Sequence, residues 1–426
     1  MNIFGDHLGA IRAIAILPVL SALIWVYLLG FRGQFWRATP HLEAAAVPVP
    51  SPTRSVCVVI PARNEADVLP MTVRSLLTQE YAGAIAIILV DDHSTDGTAT
   101  VAQETAQAVN AQRSEPRSLE VLMAQPLPAG WTGKLWALEQ GTQRALGRSP
   151  RPDYLLLSDA DIAHDAHNLA RLVAKADADQ LHLASIMVRL RTDSFWEKLL
   201  IPAFVFFFQK LYPFRWVNDP QNPTAGAAGG CLLLRPDALE RIGGIATIRH
   251  ALIDDCALAQ AIKHSPSTKN PPPTIPSPHP PTHPTTPPPH HPIHLSLSSQ
   301  THSLRPYPDL KTIWDMVART AYTQLGYSPL LLLGTILAMT LVYLVPPVGA
   351  IAGLLLGSKT MAIAGGLGWL LMTVAYLPIV RFYQCSPLFA VGLPAIALLY
   401  TLMTVDSAMR HWQGRGGAWK GRTYPG

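Results

Sequence analysis

The sequence YLLLSDAD, residues 154–161, is the stretch from which the fold is best inferred. Four apolar residues that are typical of a buried strand are followed by Asp159 and Asp161. Alternation along a strand aims two such side chains at one face, and two carboxylates so close together are costly unless a cation compensates them. A divalent metal carrying a diphosphate fits, because hard cations take carboxylate oxygens and leave sites for phosphate. A solvated turn is the alternative, since Asp is common in turns.

The composition favours a protein with membrane segments. The 426 residues are 49% hydrophobic and only 14% charged, whereas an average soluble domain is about 25% charged. The formal net charge of +5 is modest, and no basic stripe is interleaved with aromatic residues, so we expect no nucleic-acid partner. The cysteines are scattered without a C-x-x-C pair, which indicates a reducing compartment and no disulfide framework. They are Cys57, Cys231, Cys256 and Cys385.

The N-terminal apolar run, residues 8–31, has roughly the 20 residues that a membrane helix needs. No small-residue cleavage site is evident, so we interpret the run as an uncleaved transmembrane anchor. Arg32 and Arg37 follow it, which places its C-terminal end in the cytoplasm. Residues 32–54, rich in Pro and Ala, are interpreted as a linker.

From residue 55 onwards the pattern alternates between strands and helices. Strands are predicted at 55–60, 84–90, 119–123 and 154–157, and helices at 66–79, 98–109 and 133–146. This alternation predicts an α/β fold with a mostly parallel sheet and helices on both faces. Ligands of such sheets bind at the carboxyl ends of the strands.

Two later segments depart from this pattern. Residues 266–292 are dominated by Pro, Thr, Ser and His, and we expect a disordered insertion without chemistry because such a segment cannot bury a core. The aromatic, apolar stretch at 199–211 has 13 residues and is too short to span a bilayer. It is either a core helix or a helix in the membrane interface.

The C-terminal third contains three apolar runs, which we interpret as transmembrane helices within residues 328–406. They lie at 329–356, 361–380 and 388–405. A basic tail follows at 407–426, and three full spans would place it outside, against the tendency of basic segments to remain in the cytoplasm. We therefore expect the first run to be re-entrant or to pass twice, with a break at Pro346-Pro347.

Polar residues at the predicted strand ends suit the recognition of a nucleotide. The residues that close the first strand, where a base and ribose would be bound, are Pro61, Arg63, Asn64 and Glu65. Asp92 closes the second strand, and its carboxylate can accept a hydrogen bond from a pyrimidine N–H. Lys134 opens a predicted helix and is a candidate partner of a phosphate; a solvated surface lysine is the alternative.

Six motifs in order and spacing resemble family 2 glycosyltransferases with a GT-A fold. They are PARNE at 61–65, VDDHSTDG at 90–97, GKLWAL at 133–138, SDADI at 158–162, AGGC at 228–231 and IDDCAL at 253–258. The resemblance covers about residues 55–325, and the expected nucleotide-sugar-binding domain is 55–327. The membrane helices, GWTGK at 130–134, RPYP at 305–308 and GRGGAWKGR at 414–422 make the chain similar to the hopene-associated glycosyltransferases of hopanoid-producing bacteria.

The resemblance implies roles for individual residues. Asp92 matches the aspartate that reads uracil, Asp159 the ribose or metal contact, and Asp161 the ligand of a divalent Mg²⁺ or Mn²⁺. Asp255 matches the catalytic base, in an Asp254-Asp255 pair where the family has Glu-Asp. On local sequence alone, Asp255 is more simply a helix N-cap.

The acceptor side is implied less fully. Gly229 and Gly230 match the family's acceptor-side Gly-Gly. Arg319 and Gln324 take the place of the Gln-x-x-Arg-Trp motif of processive relatives, but the pattern itself is absent, so we do not expect processive polymer synthesis. The metal would neutralise the departing nucleoside diphosphate, while Asp255 takes the proton of the acceptor hydroxyl; the family implies inversion.

The resemblance therefore implies a multi-pass enzyme of the bacterial inner membrane with a cytosolic catalytic domain. Its donor would be a nucleotide sugar, taken as a UDP-sugar, and its acceptor a membrane lipid such as a hopanoid. The alternatives are a polyprenyl-phosphate acceptor or a catalytically inactive subunit that binds nucleotide sugar or lipid. A transporter is disfavoured, because no charges lie within the predicted C-terminal spans.

Overall fold

The structure is a computed structural model that describes residues 14–44, 54–266, 290–415, 418–419 and 422–423. Most of the insertion predicted at 266–292 lies outside these residues, as do parts of the predicted anchor, linker and tail. The chain divides into two compact units. The sheet unit comprises Leu42–Val188 and Trp216–Thr301, and the helical unit comprises Met1–His41, Arg189–Arg215 and His302–Gly426.

The strands are β1 Val56–Ala62, β2 Ile85–Asp91, β3 Ser118–Met123, β4 Tyr154–Ser158, β5 Ile162–Ala163, β6 Leu183–Arg189, β7 Cys231–Leu234, β8 Ile293–Ser303, β9 Ala418–Trp419 and β10 Arg422–Thr423. The helices of the first half are α1 Ile16–Phe31, α2 Leu69–Leu77, α3 Thr98–Asn110, α4 Gly133–Leu146, α5 Asn168–Ala178, α6 Phe195–Leu211 and α7 Phe214–Val217. The helices of the second half are α8 Pro236–Arg241, α9 Asp254–Lys263, α10 Leu310–Ala318, α11 Pro329–Leu355, α12 Lys359–Phe382, α13 Leu388–Val391 and α14 Leu393–Trp412.

The main sheet has eight strands in the order β3-β2-β1-β4-β7-β6-β8-β5. The pairs β1–β2, β2–β3 and β1–β4 are parallel, whereas β7 is antiparallel to both β4 and β6. The predicted α/β fold with a mostly parallel sheet is confirmed, as are the four predicted strands. The central strands β1 and β4 are buried along their whole length, which explains their continuous apolar runs, because helices cover both faces of a parallel sheet.

The parallel pairing brings the carboxyl ends of β1, β2 and β4 to one edge of the sheet. In the register, Ala62 pairs with Asp91 of β2, and Val59 pairs with Leu157 of β4. The polar residues that follow these strands therefore share one edge, as the sequence predicts.

Helix α4 packs closely on this sheet at Gly141. A Cβ at this position would lie 2.3 Å from Cγ1 of Val59, so only glycine allows the approach. Glycine within a helix is unfavourable by about 1 kcal/mol relative to alanine, which the close packing offsets. The helix begins after its N-cap Thr132, whose side chain accepts a hydrogen bond from the Leu135 N–H at 3.3 Å. The packing and the cap together place Lys134, in the first turn, near the ends of the strands.

A buried lysine holds the loop before β7. Lys263, in the last turn of α9, is fully buried. Its ammonium donates to the backbone carbonyls of Val217 at 2.8 Å, Thr224 at 2.7 Å, Asp219 at 3.1 Å and Trp216 at 3.4 Å. A buried charge is tolerated only with such partners, so Lys263 fixes the path of the chain from residue 216 to 224.

The helical unit contains the aromatic helix α6. It begins with a capping box, in which the Ser194 hydroxyl accepts from the Glu197 N–H and the Glu197 carboxylate accepts from the Ser194 N–H. Leu200 and Phe206 are among its buried residues. The structure therefore favours the core-helix alternative for the stretch at 199–211.

Two helices of the described chain, α11 and α12, are long and apolar enough to cross a membrane. The described part of the predicted N-terminal anchor is the 16-residue helix α1, which is short for a span. In the third predicted C-terminal run, α14 continues past the apolar residues to Asp406 and Arg410, which pair at 2.8 Å. The prediction of three C-terminal spans is therefore supported for two of them.

The expected break at Pro346-Pro347 is wrong. Helix α11 runs without interruption through both prolines, with a π-helical turn at Thr340–Leu344 just before them. The two prolines follow in the first turn after it, where a missing N–H matters least. The Val342 carbonyl within the π turn accepts a hydrogen bond from the Trp25 indole at 2.8 Å, which satisfies a group of the locally widened helix.

We expect Lys263→Met to destabilise the protein by at least about 2 kcal/mol, because it leaves buried carbonyls without a donor. The thermal unfolding midpoint of the purified protein measures this effect. Lys311→Met is the matched control, since the Lys311 side chain is 83% exposed. A midpoint for Lys263→Met equal to that of the control would contradict the structural role of Lys263.

Candidate active site

Lys134 joins carboxylates from two other elements of the sheet unit. Its Nζ lies 2.9 Å from Oδ1 of Asp159, which follows β4, and 3.0 Å from Oδ2 of Asp254, which opens α9. Burial opposes the positive charge, but the carboxylates of Asp159 and Asp254 outweigh it and raise the pKa of Lys134. Lys134 is therefore a charged bridge between the two segments, and the solvated-lysine alternative is wrong.

The site holds more negative than positive charge. Burial raises the pKa of Asp159; Lys134 opposes the shift, and Asp161 and Asp254 add to it. Asp255 stands beside Asp254 in the same helical turn. One lysine therefore compensates part of a group of four carboxylates, an arrangement that a bound cation would stabilise.

Asp255 is a carboxylate with a raised pKa at the start of α9. Burial is the main cause that raises its pKa to about 7, and the negative charge of Asp254 adds to the shift. Its Oδ1 accepts a hydrogen bond from the Cys256 N–H at 2.7 Å. A Cβ at Gly229 would lie 3.3 Å from Oδ2 of Asp255, so the glycine backbone borders the carboxylate. A carboxylate with such a pKa is suited to accept a proton near neutral pH.

The N-cap alternative for Asp255 is wrong. The N-cap position of α9 is Ile253, and no side chain caps the helix there. Asp254 and Asp255 occupy the first turn, where the helix dipole favours negative charge. The helix therefore presents both carboxylates at its start.

Gly230 links the turn after β4 to β7. Its carbonyl accepts a hydrogen bond from the Asp159 N–H at 3.3 Å. A Cβ at Gly230 would lie 3.2 Å from Cδ1 of Ile162 and 3.3 Å from Cγ2 of Val188. Both glycines of the pair thus permit close approaches, Gly229 to the Asp255 carboxylate and Gly230 to the sheet core.

Arg63 and Asp92 pair at the ends of β1 and β2. The Arg63 Nη1 lies 3.4 Å from Oδ2 of Asp92 and also donates to the Asp92 carbonyl. Asp92 is only 2% exposed, and its N–H donates to the Ala62 carbonyl at 2.8 Å. The pair therefore lies at the edge of the sheet where the sequence predicts that the base binds.

The two loops that follow these strands are braced against each other. The Asn64 N–H donates to the Ser94 hydroxyl at 2.9 Å, and the Asn64 side-chain oxygen accepts from the Thr95 N–H at 2.9 Å. The Glu65 N–H donates to the Thr98 hydroxyl at 2.9 Å. These hydrogen bonds fix the positions of the two loops relative to each other.

A pocket at this edge gathers residues from distant parts of the sheet unit. Pro61 of β1 lines it together with Lys134, Asp159, Gly229 and Asp255. The structure thus brings the predicted donor residue Pro61, the predicted acceptor residue Gly229 and both ends of the Lys134 bridge to one cavity. Its other lining residues are mainly apolar, including Leu135, Leu138, Leu157, Leu232 and Leu258.

The residues of the D-x-D motif suit a divalent metal. Asp161 is 6% exposed, and its charge adds to that of Asp159. Among the described residues, no group of three His, Cys, Asp or Glu side chains is placed to hold a metal. Mg²⁺ in nucleotide-dependent enzymes is held by one or two carboxylates together with substrate phosphates, so two carboxylates fit such an ion.

The predicted acceptor residues Arg319 and Gln324 belong to the helical unit. Arg319 follows α10 as its C-cap, and the Gln324 amide donates to the Tyr212 hydroxyl at 2.8 Å. Their role towards an acceptor stays a prediction.

Three polar residues behind the D-x-D turn, Ser158, His164 and Asn168, are not among the residues predicted from the sequence. His164 and Asn168 are four residues apart, and both side chains are buried. A histidine just after a D-x-D motif, with an amide four residues later, is the signal that would have identified them.

Residues 57–243 match the family model Glycosyl transferase family 2. Among solved structures, the mannosyltransferase PcManGT from Pyrobaculum calidifontis, in complex with GDP-Man and Mn²⁺, is 18% identical. The alignment covers 94% of this chain and 98% of that chain, with a TM-score of 0.52. Glucosyl-3-phosphoglycerate synthase from Mycobacterium tuberculosis, in complex with Mn²⁺, UDP-glucose and phosphoglyceric acid, is 17% identical over 67% of this chain and 82% of that chain, with a TM-score of 0.38.

Residues 57–243 thus match a family 2 glycosyltransferase domain, the fold is GT-A-like α/β, and the match supports a glycosyltransferase. The family match ends at residue 243, so Asp254 and Asp255 lie just beyond it. Their place in the site rests on the geometry around Lys134 and Gly229.

We expect the acid limb of the pH–rate profile to fall near pH 7, because Asp255, with its pKa near 7, must be ionised to accept a proton. Activity therefore rises with pH through this range. In Asp254→Asn the neighbouring negative charge is lost, the pKa of Asp255 falls, and the limb shifts to lower pH. The measurement is kcat/KM for the acceptor between about pH 5 and pH 9.

Asp237→Asn is the control for this profile, because the Asp237 side chain is 62% exposed and the limb should stay unchanged. An upward shift in Asp254→Asn, or none, would show that Asp255 is not the titrating base.

Proposed function

We propose that the protein transfers a sugar from a nucleotide-sugar donor to a lipid acceptor, with inversion at the anomeric carbon. The observation that carries the proposal is the Lys134 bridge to Asp159 and Asp254 beside Asp255, at the carboxyl edge of the sheet. The diphosphate oxygens of the donor would pair with Lys134 there. The Asp255 carboxylate would accept the proton of the acceptor hydroxyl.

The donor side is supported by the residues at the ends of β1 and β2. Asp92 would contact the base, with Arg63 holding its carboxylate. Pro61, Asn64 and Glu65 would frame the base and ribose. The fold neighbour PcManGT is in complex with GDP-Man and Mn²⁺, which supports a nucleotide sugar as donor. We take a UDP-sugar as the first candidate, because of the role that the sequence resemblance implies for Asp92.

A divalent metal would be held by Asp161 and Asp159. When bound, Mg²⁺ or Mn²⁺ supplies charge stabilisation to the diphosphate leaving group. Asp159 and Asp161 directly follow β4, and Asp159 forms an ion pair with Lys134. Lys134 would then be free to pair with phosphate oxygens as well as with Asp254.

The acceptor is proposed to be a membrane lipid, with a hopanoid as the first candidate from the sequence resemblance. Apolar side chains on α11 and α12 support this, since Leu330 is 80% exposed, Leu354 76% and Ile363 70%. Exposed apolar helices of this length are typical of a membrane environment. The two Gly residues, Gly229 and Gly230, would lie on the acceptor side of the site.

The same two helices support a multi-pass placement in the bacterial inner membrane with a cytosolic catalytic domain. If α11 and α12 both cross, the number of crossings after the sheet unit is even. The basic segment 407–426 then stays on the side of the catalytic domain, as the positive-inside tendency requires. With this pair of crossings, the basic segment no longer conflicts with the positive-inside tendency, as it would with three spans.

The test of the function is incubation of purified protein with a panel of nucleotide sugars and extracted bacterial lipids, followed by mass spectrometry of the lipid products. The panel includes UDP- and GDP-sugars, hopanoids and polyprenyl phosphates. We expect a glycosylated hopanoid. A sugar found on polyprenyl phosphate would replace the hopanoid as acceptor, and a product found only on water-soluble acceptors would contradict the lipid proposal.

We expect Asp161→Ala and Asp255→Asn to fail in different ways. Asp161→Ala should abolish transfer and weaken Mn²⁺-dependent nucleotide binding, because it removes a metal ligand. Asp255→Asn should keep nucleotide binding and lower turnover by about 10²–10⁴-fold, the usual contribution of a general base. Calorimetric titration and initial rates measure the two effects, and the exposed Asp237→Asn serves again as control.

The outcomes separate the two roles. Wild-type turnover in a correctly folded Asp161→Ala would remove the metal assignment. A collapse of nucleotide affinity in Asp255→Asn would make Asp255 a binding residue instead of a base.

A further inference from the structure

A chain of buried hydrogen bonds lies directly behind the D-x-D turn. Nε2 of His164 lies 2.9 Å from the Ser158 hydroxyl, and Nδ1 of His164 lies 3.0 Å from the side-chain nitrogen of Asn168. All three residues are buried within the sheet unit. The Ser158 hydroxyl in turn reaches the Asp159 carbonyl at 3.1 Å and the Gly230 carbonyl at 3.4 Å.

The partners set the direction of each hydrogen bond. The Asn168 amide nitrogen can only donate, so Nδ1 of His164 accepts and Nε2 carries the proton. Nε2 therefore donates to the Ser158 oxygen, and the Ser158 hydroxyl proton is left to bond the carbonyl of Asp159 or Gly230. Burial lowers the pKa of His164 to about 3, which keeps the ring neutral at physiological pH.

The buried hydrogen bonds connect four segments of the sheet unit. Asn168 opens α5, His164 follows β5, Ser158 ends β4, and Gly230 precedes β7. The His164 backbone N–H also donates to the Ser75 hydroxyl of α2 at 3.1 Å, so the backbone is anchored, while Ser158 and Asn168 hold the two ring nitrogens. A ring fixed in this way sets the position of the Ser158 hydroxyl, and through it the backbone of the turn that carries Asp159 and Asp161.

We propose that His164 is a positioning residue that, through Ser158, fixes the D-x-D turn in the conformation that binds the metal–diphosphate group. The inference rests on the proposed function, since it assumes that Asp159 and Asp161 hold the metal. His164 would not touch donor or metal itself. Groups that orient metal ligands from behind commonly change metal affinity by about 10–100-fold when they are replaced.

Two amide variants test this route, because they differ in reach. In His164→Gln the side-chain amide extends to the place of Nε2 and can still donate to Ser158. In His164→Asn the amide reaches only the place of Nδ1, so it retains the Asn168 contact and loses Ser158. Both variants keep a polar, uncharged side chain, and their thermal unfolding midpoints report any general loss of stability.

The measurement is Mn²⁺ binding to the full-length, detergent-purified protein, from the electron paramagnetic resonance signal of free Mn²⁺. UDP or GDP is present, whichever the wild type binds more tightly. We expect His164→Asn and Ser158→Ala to weaken Mn²⁺ binding by about tenfold, and His164→Gln to stay within about threefold of wild type. In the Ser158→Ala background, His164→Asn should cause no further loss.

The possible results distinguish this proposal from the proposed function. Asp161→Ala is measured beside the other variants. If it loses Mn²⁺ while His164→Asn binds as wild type does, the metal site stands and the positioning role is wrong. Equal losses in His164→Gln and His164→Asn, or additive losses with Ser158→Ala, also overturn the route through Ser158. If Asp161→Ala binds Mn²⁺ as wild type does, the metal site itself fails and the role of His164 fails with it.

Discussion

The ion pairs of Lys134 with Asp159 and Asp254 are the interaction on which the site depends. Partly exposed pairs of this kind contribute only about 0–1 kcal/mol to stability, so their main effect is on charge and position. They connect the turn after β4 to the start of α9, two segments that are far apart in the sequence. Asp255 stands beside this pair, and its pKa is raised to about 7 mainly by burial, with the negative charge of Asp254 adding to the shift and Lys134 opposing it.

The fold explains why these groups meet. Parallel pairing of β1 with β2 and β4 sends three polar loops to one edge, and Gly141 lets α4 approach the sheet closely enough to deliver Lys134. The antiparallel strand β7 then brings Gly229 and Gly230 beside the same edge. In each case the backbone geometry determines where the charged side chains of the site lie.

The parts of this arrangement that follow from local patterns were predictable from the sequence. Continuous apolar runs identify β1 and β4, and the Asp motifs that follow β2 and β4 mark where carboxylates lie at the sheet edge. The double partnership of Lys134 was not predictable, because it depends on how α4 and α9 pack. The contact between Ser158 and His164 also depends on packing, although the spacing of His164 and Asn168 behind the D-x-D motif gives a local signal for it. The expected break at Pro346-Pro347 is wrong because a π-helical turn precedes the two prolines and the helix continues through them. The presence of prolines in the sequence does not reveal such a turn.

The central claim is that Lys134 exchanges part of its pairing with Asp159 and Asp254 for the diphosphate of the donor. The most direct test is calorimetric titration of wild type and Lys134→Met with UDP and GDP in the presence of Mn²⁺. We expect Lys134→Met to weaken binding of the preferred nucleotide by at least about tenfold, equal to ~1.4 kcal/mol. Wild-type affinity in a folded Lys134→Met protein would contradict it.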